Sequence, residues 1–139
     1  MRFSTKAIAA LGTMLVGLAS SLVLATTPAS AATSCYDGAV SVSYNQADAD
    51  DWRGTRGPYT TSSRCADINF KLTGVQYSRQ YSVGVCVMFN SSSNPCNYYT
   101  WFSSTGTWKT IATNVYDGTK FYIYIQGQAG GLITGQLAY

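Results

Sequence analysis

Apolar and polar residues alternate with a period of two through most of this chain. Val40, Val42 and Tyr44 are separated by Ser41 and Ser43. Ile68, Phe70 and Leu72 alternate with Asn69 and Lys71, and Phe121, Ile123 and Ile125 with Tyr122 and Tyr124. The longest run sets Tyr81, Val83, Val85, Val87 and Phe89 against Ser82, Gly84, Cys86 and Met88. Successive side chains of a strand point to opposite faces, so each run can bury one face and wet the other. Turn-forming stretches separate the runs: Thr73-Gly74, Ser91 to Pro95, Ser103 to Gly106, Asp117-Gly118 and Gly127 to Gly131. Asp117-Gly118 predicts a type I′ hairpin, whose two central residues both need positive φ. Leu132 to Tyr139 reads as a last strand that pairs within the domain. The pattern predicts an all-β fold of about seven short strands, a small antiparallel β-sandwich, with a small barrel as the alternative.

The first residues have another character. Arg2 and Lys6 precede an apolar run from Ile8 to Leu24, and Ala29-Ser30-Ala31 has the form of a cleavage site. Residues 1–31 therefore read as a secretory signal peptide and 32–139 as a single all-β domain. The apolar run is broken by Gly12, Gly17, Ser20 and Ser21, so no membrane association is expected after cleavage. The net charge of +3 includes Arg2 and Lys6, and the domain is too nearly neutral for nucleic acid to be an expected partner. All four cysteines, Cys35, Cys65, Cys86 and Cys96, lie after the leader. An even count in a small exported domain predicts two disulfides. Cys86 and Cys96 flank the turn Asn90 to Pro95, which favours Cys86–Cys96 and leaves Cys35–Cys65.

The chain contains no histidine. Serine and cysteine nucleophile systems that rely on an imidazole, and histidine-bound zinc, are therefore excluded. The acids are all aspartates, and only Asp48, Asp50 and Asp51 cluster. They lack the spacing of a calcium loop and sit where burial would hardly raise a carboxyl pKa. No catalytic residue, metal or cofactor is expected.

Aromatic side chains are abundant: 11 Tyr, 3 Trp and 5 Phe. Tyr and Trp offer rigid, amphipathic contact area and are enriched at binding surfaces. One candidate site is the stretch DADDWRGTRGPY, residues 48–59, read as a long loop presenting Trp52, Arg53, Arg56 and Tyr59. The other is the run Asn97 to Phe102. As a strand it turns Tyr99 and Trp101 to one side and Tyr98 and Phe102 to the other, and one side must be core. Tyr122 and Tyr124 extend that aromatic face if their strand neighbours Tyr98 to Phe102.

In its leader, size and Ser/Thr/Tyr-rich two-disulfide composition, the chain resembles small exported proteins of filamentous actinobacteria. Trp52-Arg53-Gly54 is also similar to the Trp-Arg-Tyr tripeptide that the microbial proteinaceous α-amylase inhibitors present on a loop, with Gly54 where that family has Tyr. That resemblance implies a loop that blocks a hydrolase. The residues themselves point to a secreted, extracellular, non-catalytic binding protein whose partner is an extracellular protein or a cell-wall or polysaccharide glycan. The alternatives are an inhibitor of a secreted amylase or protease, an adaptor subunit of a secreted toxin or cell-surface complex, and an aspartate-based enzyme.

Overall fold

A computed structural model of the chain describes residues 34–46, 54–76, 81–127 and 131–139. The leader, the acids Asp48, Asp50 and Asp51, and Trp52 and Arg53 lie outside the described residues. The fold is all-β, with eight strands in two antiparallel four-stranded sheets. The strands are β1 (Val40–Asn45), β2 (Thr55–Thr60), β3 (Ile68–Val75), β4 (Val83–Phe89), β5 (Thr100–Phe102), β6 (Trp108–Ala112), β7 (Lys120–Gly127) and β8 (Leu132–Ala138). One sheet has the order β1-β8-β3-β6 and the other β2-β7-β4-β5.

The alternating runs supply the core. Ile68, Phe70 and Leu72 of β3, Ile133 and Leu137 of β8, and Ile111 of β6 are fully buried from one sheet. Val83, Val85 and Val87 of β4, Phe102 of β5, and Phe121, Ile123 and Ile125 of β7 meet them from the other. Phe70 and Phe102 touch edge to face across the layer, with ring centres 5.4 Å apart. Gly135 of β8 makes room for Phe70, since a Cβ there would stand 2.2 Å from the ring's Cζ. The outer strand β1 pairs with β8 from Val40↔Leu137 to Asn45↔Leu132, so the chain's last strand is held inside a sheet.

Two local readings are corrected. The stretch read as a loop to Tyr59 contains β2, an edge strand from Thr55 to Thr60. Its Gly57 and Pro58 resemble turn residues, yet an edge strand tolerates a missing N–H, and the register shifts between Arg56 and Tyr59. Asp117-Gly118 does not close a hairpin. It joins β6 in one sheet to β7 in the other, and positive φ occurs at Gly118 (76°) without a matching value at Asp117. Thr61 holds this corner together. Its hydroxyl donates to the Tyr116 carbonyl (2.7 Å) and accepts from the Thr119 amide (2.9 Å).

Both open edges of the sandwich are bridged by an inward-leaning cation. Arg56 of β2 donates from Nε to the Ser43 carbonyl of β1, with its guanidinium 5.5 Å from the centre of the Tyr44 ring. At the opposite edge, Lys109 of β6 donates to the Trp101 carbonyl of β5 (2.7 Å) and lies 5.0 Å from the Phe102 ring centre. Charges turned inward at edge strands discourage pairing with another chain. Each also satisfies a carbonyl of the facing sheet.

The disulfides are Cys35–Cys65 and Cys86–Cys96, with sequence separations of 30 and 10. Restricting the unfolded chain in this way is worth about 3.6 and about 2.7 kcal/mol in the loop-entropy account. Two such bonds fit a protein of an oxidising, extracellular compartment.

The Gly135–Phe70 contact has a measurable consequence. Phe70 is wholly buried and cannot swing aside, so Gly135→Ala overfills the layer at a cost of about 1–3 kcal/mol. The melting temperature followed by circular dichroism is expected to fall by about 5 °C or more. An unchanged transition would mean that the ring relaxes freely.

Candidate functional site

The outer face of the β2-β7-β4-β5 sheet is built by the same alternation that builds the core. β5 has only three residues, and Phe102 points inward with 1% of its surface exposed. Its neighbour Trp101 must then point outward, and it is 49% exposed. Tyr99, two residues earlier, lies on the same side with its ring centre 5.8 Å from that of Trp101 and the planes tilted by 31°. Tyr122 and Tyr124 of β7 project outward between the buried Phe121, Ile123 and Ile125. Trp101, Tyr99, Tyr122 and Tyr124 therefore share this face, although β7 does not neighbour β5 as the sequence reading required.

They do so across an intervening strand. β4 separates β7 from β5 and presents Gly84, Cys86 and Met88 outward, opposite Gln126, Tyr124 and Tyr122. All three are buried, because rings from both neighbouring strands lean over them. Tyr99 reaches across to Tyr124, with ring centres 6.5 Å apart at 71°. Two glycines seat the rings. Three carbons of the Trp101 indole lie 3.0–3.2 Å from where a Gly84 Cβ would stand, so one face of the indole rests on the backbone. Tyr122 rests on Gly57 in the same way, and the φ of +131° at Gly57 also favours glycine.

Two shallow depressions flank the Trp101–Tyr99 pair along the strand direction. One, of about 390 Å³, is lined by Ser82, Trp101, Gln126 and Gly127. The other, of about 360 Å³, is lined by Thr55, Met88, Ser92, Asn94, Cys96, Tyr99 and Tyr124. Among the described residues, no charged side chain lines either. Among the described cations, Lys109 donates to the Trp101 carbonyl (2.7 Å) and the Lys120 ammonium lies 5.8 Å from the Tyr122 ring centre. The Cys86–Cys96 disulfide anchors the segment that carries Tyr99, and the Tyr99 hydroxyl donates to Cys96 Sγ (3.7 Å). Asn97 fixes the same segment more firmly. Its Oδ1 accepts from the Val87 amide and its Nδ2 donates to the Ile111 carbonyl, both at 2.9 Å, which ties β4 to β6.

The remaining candidate residues lie elsewhere. Arg56 sits at the sandwich edge against Tyr44. Tyr59 is half-buried against Phe121 and Tyr139, with both ring centres at 5.5 Å. Neither joins the aromatic face. Tyr98 is 47% exposed, since β5 begins only at Thr100 and the alternation does not extend back to it. Sequence reasoning passed over Gln126, Ser82, Asn94 and the seats Gly57 and Gly84. A glycine inside a strand signals close approach by another group, and Gly84 carried that signal. Among the described residues, no group of three or more His, Cys, Asp or Glu side chains could hold a metal ion.

Comparison with known proteins finds no match: no family model fits the chain, and neither a curated protein nor a solved structure is similar to it.

The Tyr99 phenol titrates above the ordinary tyrosine range, first because burial disfavours its charged form and second because Tyr124 lies close. A raised folded-state value means that the contribution to stability is complete below about pH 10 and is lost as pH rises through the higher folded value. Titration of the Tyr99 ring resonance by NMR should show this upward shift. Tyr124→Phe should reduce it only in part, and a Tyr99 value at the unfolded level would contradict the account.

Proposed function

We propose that this chain is an exported, non-catalytic binding protein that holds a carbohydrate on the aromatic face of the β2-β7-β4-β5 sheet. One observation carries the reading. Trp101 and Tyr99 are co-exposed with their planes only 31° apart, and Trp101 is backed by Gly84 so that its opposite ring face meets solvent. A pyranose ring presents patches of C–H groups that suit the electron-rich face of an aromatic ring. Its hydroxyls need polar partners at the margins, and Ser82, Gln126, Ser92 and Asn94 stand there.

Rigidity supports the same reading. Trp101, Tyr122 and Tyr124 are set on strands, and the segment bearing Tyr99, just before β5, is tied by a disulfide and by Asn97. A preorganised site loses little entropy on binding. The leader-like residues 1–31 and the two disulfides support export, and the absence of histidine from the sequence supports binding without turnover.

The experiment is retention on insoluble polysaccharides such as cellulose, chitin and xylan. Trp101→Ala and Tyr99→Ala are each expected to weaken retention about tenfold or more, the scale of one lost stacking contact. Tyr116→Ala, a change at an 88% exposed ring outside this face, should leave retention intact. Equal retention of Trp101→Ala and the unaltered protein would refute the reading.

A further inference from the structure

Resting on that reading, we infer that the face takes the interior of a neutral, extended glycan chain with equatorial linkages, and that Gln126 and Ser82 read its hydroxyls beside Trp101. Three features of the face lead there.

The first is direction. Tyr99, just before β5, and Trp101 within it follow one another along the chain with ring centres 5.8 Å apart, about the length of one sugar residue. The two depressions lie at the ends of this pair. One is at the level of Ser82 and Gly127, and the other is at the level of Met88 and Asn94. A chain running parallel to β5 stacks two rings and sets one further residue over each depression. Tyr124, at 71° to Tyr99, forms the side wall of that path.

The second is openness. Both depressions are shallow and open to solvent. Capture of a chain end would need a closed wall on one side, and the described lining residues form none. Two exposed rings tilted by 31° to one another suit a ribbon-like chain whose successive sugar rings stay extended. A curling, axially linked chain would lift away from the second ring.

The third is charge and hydrogen bonding. The described lining groups are hydroxyls, amides and apolar atoms, with no cation among them to pair with a uronate or phosphate. Among the described residues, the Gln126 amide and the Ser82 hydroxyl form no side-chain hydrogen bond, although they flank the exposed indole. Gln126 is set there by its place opposite Gly84. The Asn94 amide already donates to the Phe89 carbonyl, which leaves its oxygen to face the second depression.

The test is calorimetric titration of the full mature protein with three sets of probes: β-1,4-linked gluco-oligosaccharides of one to six units, the α-1,4-linked series, and oligogalacturonate. Affinity for the β-linked series is expected to rise at least tenfold from one unit to four and then level off. Capping the reducing end should not matter, and the other two probes should bind at least tenfold more weakly. Gln126→Ala should weaken binding of the tetramer about three- to tenfold, as loss of one hydrogen bond does, with an unchanged melting temperature. Equal binding of monomer and tetramer, a requirement for a free chain end, or preference for the α-linked or acidic probes would overturn this inference while leaving carbohydrate binding in place. Absence of binding to every saccharide would overturn both.

Discussion

The edge-to-face contact of Phe70 and Phe102 sits where the two sheets must meet, and much of the outer surface follows from it. Such a pair adds about 0.5–1.5 kcal/mol beyond the area it buries. Its larger role is orientation. β5 is too short to set its own phase, since three residues make few ladder bonds. Burial of Phe102 against Phe70 sets that phase, and strand geometry then turns Trp101 outward without further instruction. Gly135 belongs to the same arrangement, because Phe70 can reach the layer's centre only over a residue without a side chain. The aromatic face is thus the reverse side of the core contact.

A two-layer fold leaves two edges where backbone groups of the outer strands meet water. Here each edge carries one cation that leans inward over an aromatic ring and donates to a carbonyl of the other sheet, Arg56 to Ser43 and Lys109 to Trp101. The bond from Lys109 reaches the backbone of the exposed Trp101, so closure of that edge and placement of this indole are one interaction. Asn97 adds a neutral bridge at the same edge. These polar links hold the rim of the face while its rings stay bare, which suits a surface that grips a ligand without rearranging.

The face was legible in the sequence as separate pieces. Alternation put Trp101 and Tyr99 together on the side opposite Phe102, leaving open which side was core, and put Tyr122 and Tyr124 opposite Phe121, Ile123 and Ile125. Their assembly was not legible, since it runs across β4 rather than between neighbouring strands. Gly84 and Cys86 permit this by being small enough for rings to lie over them. β2 was hidden for the opposite reason. Gly57 and Pro58 carry turn-like chemistry, and only its place at a sheet edge, with Gly57 seating Tyr122, makes them acceptable in a strand. The pair Asp117-Gly118 misled as well, because a tight turn connects sheets as readily as it connects neighbours.

By itself the sequence determined the all-β class and the inward residues of the long strands, and it favoured one pairing of the four cysteines. Each of these depends on local period or on separation along the chain. The tertiary structure alone decided the strand order, the crossing from β6 to β7 and the meeting of Tyr99 with Tyr124. Contacts between residues far apart in sequence depend on which sheet each strand joins, and nearly identical alternating runs could join either. That choice comes from the fit of particular side chains, such as Phe70 over Gly135 and Trp101 over Gly84, which no single run of residues encodes.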